Sequence, residues 1–169
     1  DLNNHTKHSG VDLSYMDPNT NEKFVPHVLE PTFGVGRHVL AVLTKAYTED
    51  DMGGEMRTVL KFPPRLAPVK AAVFPLLKNK PELVDKARAV YTELKKEVPE
   101  IMFDDNGNIG KRYRRQDEIG TPFCITIDFD TLGETPEHAD TVTVRNRDTG
   151  EQERLSIADA IQKVKQAVS

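Results

Sequence analysis

The alternation of strand-type and helix-type patterns over the second half of the chain most constrains its fold. Three apolar runs bounded by turn residues predict strands: KAAVFPLL, IMFDD and FCITIDFDTL. Helical periodicity separates them, in PELVDKARAVYTELKKE and in the later part of NIGKRYRRQDEIG. A hairpin from TVTVRNRD to EQERLSI and a closing helix, IADAIQKVKQAV, complete the pattern. This order predicts an α/β fold whose sheet contains parallel strands and a late antiparallel hairpin.

The first 57 residues carry a different pattern. SGVDLSYMD and EKFVPHVLE predict the strands of a hairpin with PNTN as its turn, and a helical period begins at His38. The polar stretch TEDDMGGEMR then shows neither the helical nor the strand spacing of apolar residues, which indicates a linker or surface loop. We therefore expect one region over residues 1–57 and a second over residues 58–169.

The segment EPTFGVGR, from Glu30 to Arg37, combines an acid, two glycines and an arginine at the start of a predicted helix. Pro31 favours an extended backbone at Glu30, so the preceding strand would end on a carboxylate. An arginine in the first turn is unfavourable beside the partial positive charge of the helix N-terminus, unless an anion lies between them. Two interpretations remain open: a phosphate site, or a turn in which Arg37 pairs with a protein carboxylate.

Bulk composition excludes several function classes. The 23 Lys and Arg residues against 27 Asp and Glu residues give a net charge of -4, so nucleic-acid binding cannot be argued from total charge. No apolar run approaches the roughly 18 residues of a membrane helix.

Cys124, the single cysteine, is expected to be a buried thiol in a reducing, cytoplasmic protein. His5 and His8 have no further ligands at useful spacing, and we expect no metal site.

Local clusters could still bind RNA. Lys111 and Arg112 lie at the start of a predicted helix, the end that favours anions. Phe129 lies toward the carboxyl end of its strand, where α/β sheets bind ligands, so it could stack on an unpaired base or pack in the core. Arg145 and Arg147, two apart on a strand, could hold phosphates or pair with acids across the sheet.

EPTFGVGR resembles motif 3 of the class II aminoacyl-tRNA synthetases, whose arginine contacts ATP. Other segments resemble, in the same order, those of the homodimeric glycine–tRNA ligase family: HSGVDLSY, LAPVKAAVFPL, NIGKRYRRQDEIGTPF, TIDFDT and VTVRNRDTGEQERL. The resemblance covers essentially the whole chain. Thr32 stands where the family more often has serine, which keeps the hydroxyl, and Gly36 stands where many bacterial members have aspartate.

The resemblance implies a mixed five-stranded sheet flanked by helices, the anticodon-binding domain of this synthetase class. A hairpin and helix from the end of the class II catalytic domain would precede it. The parent enzyme would join glycine to its tRNA using ATP and Mg²⁺, as a homodimer that does not associate with membranes.

The resemblance also implies roles for individual residues. Arg37 would be the catalytic residue that contacts ATP, and Glu30 would accept the ammonium group of glycine. The substrate-binding set is Glu30, Pro31, Thr32, Phe33 and Gly34, and the ATP-binding set is Gly34, Val35, Gly36 and Arg37. The anticodon-binding set, which would read the two cytosines of a glycine anticodon, is Lys111, Arg112, Phe129, Arg145 and Arg147.

The sequence contains neither the FRxE motif nor the dimer-forming motif of class II enzymes, and it begins without methionine. We therefore expect a C-terminal fragment that is inactive by itself. The competing hypothesis is a stand-alone anticodon-like module that binds nucleic acid or protein without ligase activity. Glu30 and Arg37 favour the ligase, because a binding module has no need of them.

Overall fold

The computed structural model describes all 169 residues, which divide into two compact units, Asp1–His38 and Val39–Ser169. In the first unit, helix α1 spans Leu2–Ser9 and ends at Gly10, whose left-handed conformation has a φ of 71°. Strands β1 (Tyr15–Met16) and β2 (Lys23–Phe24) form an antiparallel hairpin. None of the helices of the protein combines the length and hydropathy that a membrane span requires.

The predicted N-terminal hairpin is confirmed, but its strands are shorter than expected. Helix α1 was not predicted, and the extended run toward Glu30 ends at Phe24. Pro26 lacks the N–H that a ladder requires, and Pro31 lacks it too, so residues 25–34 continue without strand pairing. The expectation that a strand would end on Glu30 is therefore wrong.

Helix α2 spans Val35–Ala46, which confirms that Arg37 lies in the first turn of a helix. The segment predicted as a linker is instead an antiparallel hairpin of β3 (Tyr47–Asp51) and β4 (Met56–Leu60). Gly53 and Gly54 both adopt positive φ in its turn, and the Asp51 carboxylate accepts the Gly54 N–H at 2.8 Å. The division expected between residues 57 and 58 thus falls inside β4, whereas the compact units meet within α2.

The predicted mixed five-stranded sheet is confirmed, in the order β6-β5-β7-β8-β9. Its strands are β5 (Ala71–Pro75), β6 (Ile101–Phe103), β7 (Phe123–Ile127), β8 (Thr141–Asn146) and β9 (Gln152–Ser156). The helices are α3 (Pro81–Glu97), α4 (Ile109–Ile119) and α5 (Ile157–Val168). Strand β5 is parallel to β6 and β7, while β8 is antiparallel to β7 and β9. Three short 3-10 helices lie in the loops, at Pro64–Leu66, Asp130–Leu132 and Pro136–His138.

Helices cover both faces of the central strands. Val73 and Ile125 belong to a large cluster packed against α3 and α5. On the opposite face, Phe74 and Cys124 pack against Tyr113 of α4. Burial on both faces explains why β5 and β7 are continuous apolar runs without alternation. Cys124 is the buried thiol that was predicted, and its burial raises the pKa of that thiol.

Candidate functional site

The carboxyl ends of the three parallel strands meet at one edge of the sheet, as parallel pairing requires. The loops that follow β5, β6 and β7 all lie at this edge. Strand β8 begins and β9 ends there as well, since Thr141 pairs with Ser156. We call this the carboxyl edge; it contains Lys111 and Phe129 of the expected anticodon-binding set.

A pocket of about 390 Å³ lies at the carboxyl edge, between the loop after β5 and the start of α4. Its lining comprises Leu76, Leu77, Lys78, Asn79, Gly107, Asn108, Ile109 and Arg112. Sequence reasoning missed Lys78 and Asn79. Their position in the sequence could have identified them, because these polar residues directly follow the predicted strand KAAVFPLL at its carboxyl end.

The first turn of α4 presents Lys111 to solvent. The Asn108 side chain caps the helix by accepting the Lys111 backbone N–H at 2.9 Å. Gly107, which directly precedes this N-cap residue, has a positive φ of 73°. The Lys111 side chain is exposed and forms no ion pair. It is therefore available to an anion at a helix end that already favours one.

Arg112 lies beneath this surface, with only 1% of its area exposed. Its guanidinium donates to backbone carbonyls of Pro75, Asp105 at 3.0 Å and Gly107 at 2.7 Å. Burial lowers the pKa of Arg112, in spite of the nearby carboxylates. These contacts fix the loop between β6 and α4, and they differ from the phosphate contact that the sequence led us to expect.

Phe129 is half-buried, and its ring packs against the main core cluster. Beside it, the Asp128 carboxylate accepts hydrogen bonds from Arg154 and from the backbone and hydroxyl of Thr131, both at 3.0 Å. Burial alone would raise the pKa of Asp128, but the Arg154 guanidinium and the Thr131 donors outweigh it and hold that pKa below its usual value. The turn carrying Phe129 is thus fixed at the carboxyl edge, with part of the side chain still accessible.

Arg145 is buried on β8 and pairs with Asp117 of α4 through two hydrogen bonds, of 2.8 and 3.0 Å. Its guanidinium carbon lies 4.9 Å from the centre of the Tyr113 ring. Asp117 also accepts from Arg57 of β4 at 2.9 Å, and Arg57 in turn binds Asp50 of β3. This buried cluster joins the β3–β4 hairpin to the sheet and to α4.

Arg147 follows β8 and is also buried, with 2% of its area exposed. It donates to the carbonyls of Gly120 and Phe62, each at 2.8 Å, and pairs with Asp148. Both arginines thus pair with protein groups, but Arg145 binds an acid of α4 and Arg147 binds backbone carbonyls and the adjacent Asp148, instead of acids across the sheet. Neither guanidinium faces the surface that a nucleic acid could reach.

The EPTFGVGR segment lies within the first unit and at the start of α2, with every residue exposed. Arg37 forms no ion pair, and neither does Glu30, so the interpretation of Arg37 as a partner of a protein carboxylate finds no contact here. The Gly34 carbonyl accepts both the His38 backbone N–H, at 3.2 Å, and the His38 ring nitrogen Nδ1, at 2.9 Å. The Phe33 ring lies 5.8 Å from that imidazole.

The other residues of the expected substrate and ATP sets, Pro31, Thr32, Val35 and Gly36, are likewise exposed. Glu30 lines a groove of about 490 Å³ together with His27, Val28 and α1 residues. No hydrogen bond or ion pair joins Glu30 to Arg37. The chain contains no group of three or more His, Cys, Asp or Glu side chains arranged to hold a metal ion.

The chain is similar to one known domain family and to several curated proteins. The family described as anticodon binding domain matches residues 70–167. The chain is 54% identical over 160 residues to a glycine–tRNA ligase of Clostridium beijerinckii, an alignment covering 94% of this chain and 33% of that protein. It is 52% identical over 164 residues to the Clostridium perfringens glycine–tRNA ligase, covering 94% and 33% of the two chains.

A glycine–tRNA ligase of Thermobifida fusca is 54% identical over 162 residues, which cover 93% of this chain and 34% of that protein. The chain therefore spans about a third of the length of the curated relatives it matches. In these relatives the similarity extends well beyond the part that the family match covers.

Proposed function

The chain belongs to the anticodon-binding domain family, and we propose that it is the C-terminal part of a glycine–tRNA ligase, which joins glycine to its tRNA using ATP. The observation that carries this proposal is the extent of the similarity. Alignments to named glycine–tRNA ligases cover 93–94% of the chain, whereas the family match begins only at residue 70. A stand-alone module would have no reason to resemble a ligase outside the binding domain.

We propose that residues 1–57 include the end of the catalytic domain and that residues 58–169 form the anticodon-binding domain, with the β3–β4 hairpin that spans this division packed in the second compact unit. The apolar side chains Val39, Leu40, Val42 and Leu43 of α2 are exposed, which suits a helix that packs on further parts of a larger enzyme. Such an enzyme would act in the cytoplasm as a homodimer. The encoding reading frame distinguishes the alternatives: an upstream FRxE motif supports the ligase, and a start codon near Asp1 supports the module.

In the ligase, Glu30 would accept the ammonium group of glycine, with Thr32 adding a hydroxyl contact. Pro31, Phe33 and Gly34 would shape a pocket too small for a side chain, and residues Gly34–Arg37 would face ATP. The free carboxylate and guanidinium suit these roles, because each lacks a protein partner in the structure. ATP would bring Mg²⁺ with it, because the chain contains no group of three or more His, Cys, Asp or Glu side chains that could hold the ion.

Arg37→Ala in the full-length ligase should lower the rate of glycine-dependent ATP–pyrophosphate exchange by at least about tenfold, or about 1.4 kcal/mol of transition-state stabilisation. The reason is that Arg37 supplies positive charge at a helix start where phosphate would bind. Arg65→Ala is a suitable control, since Arg65 is exposed in the 3-10 turn after β4. Equal exchange rates for both variants would rule out the role of Arg37.

For anticodon binding we retain Lys111 and Phe129 and add Lys78 and Asn79, which line the pocket at the carboxyl edge. An unpaired base can stack on an aromatic ring while a cation binds its phosphate, and the carboxyl edge carries groups of both kinds. Arg112, Arg145 and Arg147 would support the site by holding the loop and the sheet rather than by touching RNA. Their buried donors are already engaged with protein acceptors.

Lys111→Glu should weaken binding of glycine tRNA at low salt and reduce the slope of log affinity against log salt by about 1, the effect of losing one phosphate contact. Fluorescence anisotropy with a labelled anticodon stem-loop, titrated over salt, measures both. Lys96→Glu is the matched control, because Lys96 is exposed in the last turn of α3 and lies far along that helix from the carboxyl edge. Identical salt slopes for the two variants would contradict the assignment.

Phe129→Ala should reduce discrimination between the glycine anticodon and an altered one, because stacking on an aromatic ring is worth about 1–3 kcal/mol per base. Phe129→Leu separates the two interpretations of this residue, since leucine keeps apolar packing against the core but offers no ring. If Phe129→Leu keeps full discrimination, the role of Phe129 is to pack in the core. If both variants lose it while remaining folded, the ring contacts RNA.

A further inference from the structure

The loop between β6 and α4 contains Asn106 followed by Gly107, the only asparagine–glycine pair in the sequence. An asparagine side chain before a residue without Cβ can be attacked by the next backbone nitrogen with little steric hindrance. Asn106 is exposed at the carboxyl edge, next to the first turn of α4. Whether such a pair reacts depends on its contacts, and here they are favourable.

We propose that Asn106 is a site of spontaneous deamidation promoted by the Arg115 guanidinium. The Gly107 amide nitrogen loses its proton to solvent base and forms a bond to the side-chain amide carbon of Asn106, and ammonia leaves. Water then opens the resulting five-membered imide at either carbonyl. The net reaction consumes one water, releases one ammonia, and yields aspartate or isoaspartate at position 106.

The two reacting groups, the Asn106 side-chain amide and the Gly107 N–H, have no hydrogen bond of their own. Neither group must therefore give up a hydrogen bond before attack. A side chain added at Gly107 would meet nothing nearer than Lys111 Cδ at 3.9 Å and an Arg115 nitrogen at 4.0 Å. This leaves room for the imide ring.

The charges around this peptide group favour its deprotonated form. The Asn106 carbonyl belongs to the same peptide group as the Gly107 nitrogen, and it accepts a hydrogen bond from Arg115 at 2.7 Å and a longer one from Arg112 at 3.4 Å. Negative charge that develops when the nitrogen loses its proton is shared with this oxygen, so the two guanidiniums stabilise it.

Acidic groups oppose part of this effect. Asp104 accepts the Asn106 N–H at 2.9 Å and pairs with Arg115 at 2.6 Å, and Asp105 lies 3.9 Å from Arg88 of α3. Asp104 thus neutralises part of the Arg115 charge. The Arg115 donor nevertheless contacts the Asn106 oxygen directly, whereas the Asp104 contact is to the N–H on the far side of Asn106.

The expected consequence rests on the proposed function. Deamidation adds a negative charge before Lys111, and isoaspartate inserts an extra backbone carbon beside the carbonyls that Arg112 holds. Both changes would weaken anion binding at the start of α4.

The test is to incubate the folded chain in mildly alkaline buffer and to map its peptides by mass spectrometry with fragmentation. We expect a gain of about 1 Da at Asn106, with Asn108 and Asn79 unchanged over the same time. Arg115→Gln should slow the reaction by about threefold or more, because it removes the stabilising charge. An unmodified Asn106 in the folded chain, or an unchanged rate in Arg115→Gln, would overturn the proposal.

A binding measurement separates this proposal from the proposed function. Asn106→Asp should bind the glycine anticodon stem-loop more weakly than Asn106→Gln, which keeps an uncharged amide. If the unmodified chain does not bind that RNA at all, the anticodon role fails while the mass result still stands. If RNA binds but Asn106→Asp and Asn106→Gln bind equally, the expected consequence is wrong.

Discussion

Asp117→Asn should lower the free energy of unfolding of the second unit by about 3–5 kcal/mol, the usual cost of removing one partner from a buried ion pair. The Asp117 side chain is 3% exposed, and it accepts from Arg57 and Arg145, whose side chains are 1% and 8% exposed. Asparagine has nearly the same shape but no charge, and its NH₂ group would face guanidinium donors. Two cations would then remain buried without their shared carboxylate.

Urea unfolding followed by circular dichroism measures this effect. The matched control is Glu55→Gln, because Glu55 binds Arg114 at 2.8 Å but its side chain is 79% exposed. Exposed pairs contribute about 0–1 kcal/mol, so this control should be close to neutral. Equal midpoints and slopes for the two variants would mean that the buried ion pairs of Asp117 contribute no more to stability than an exposed pair does.

The sequence predicted the five-stranded sheet and its helices well, because the periodic patterns there are strong and local. Helix α3, for example, has the bounds that its apolar spacing indicated, Pro81–Glu97. The β3–β4 hairpin was missed because its strands are mostly polar and lack an alternating apolar pattern. What stabilises it is Arg57, whose partner Asp117 is 60 residues away in the sequence.

Contacts that cannot be seen in the sequence also explain why the burial of three arginines of the expected anticodon set was not predicted. Sequence reasoning assumes that an arginine lies at the surface, since a charged side chain is rarely buried without a partner. The partners of Arg112 and Arg147 include backbone carbonyls, which no sequence pattern reveals. The exposed position of Lys111, in contrast, could be predicted, because a helix start is a local feature and no acceptor holds the lysine side chain there.

Gly120→Ala should lower the free energy of unfolding by about 2–5 kcal/mol, the sum of backbone strain and overpacking. Gly120 ends α4 in the left-handed conformation, with a φ of 82°, which costs a non-glycine residue about 1–2 kcal/mol. An added Cβ would also lie 2.6 Å from the Leu60 carbonyl oxygen and 2.6 Å from the Phe62 ring. Neither neighbour can easily move, since one is backbone and the other is a buried side chain.

Gly133→Ala separates the two contributions. Gly133 has a similar φ of 93°, but its added Cβ would meet only the Ala139 side chain, at an ordinary 3.6 Å. Gly133→Ala should therefore lower the free energy of unfolding only by the cost of backbone strain, about 1–2 kcal/mol. The difference between the two variants in urea unfolding measures how closely the end of β4 packs on the end of α4. Equal losses would show that backbone strain alone requires glycine at position 120, and that the hairpin can shift to admit a methyl group.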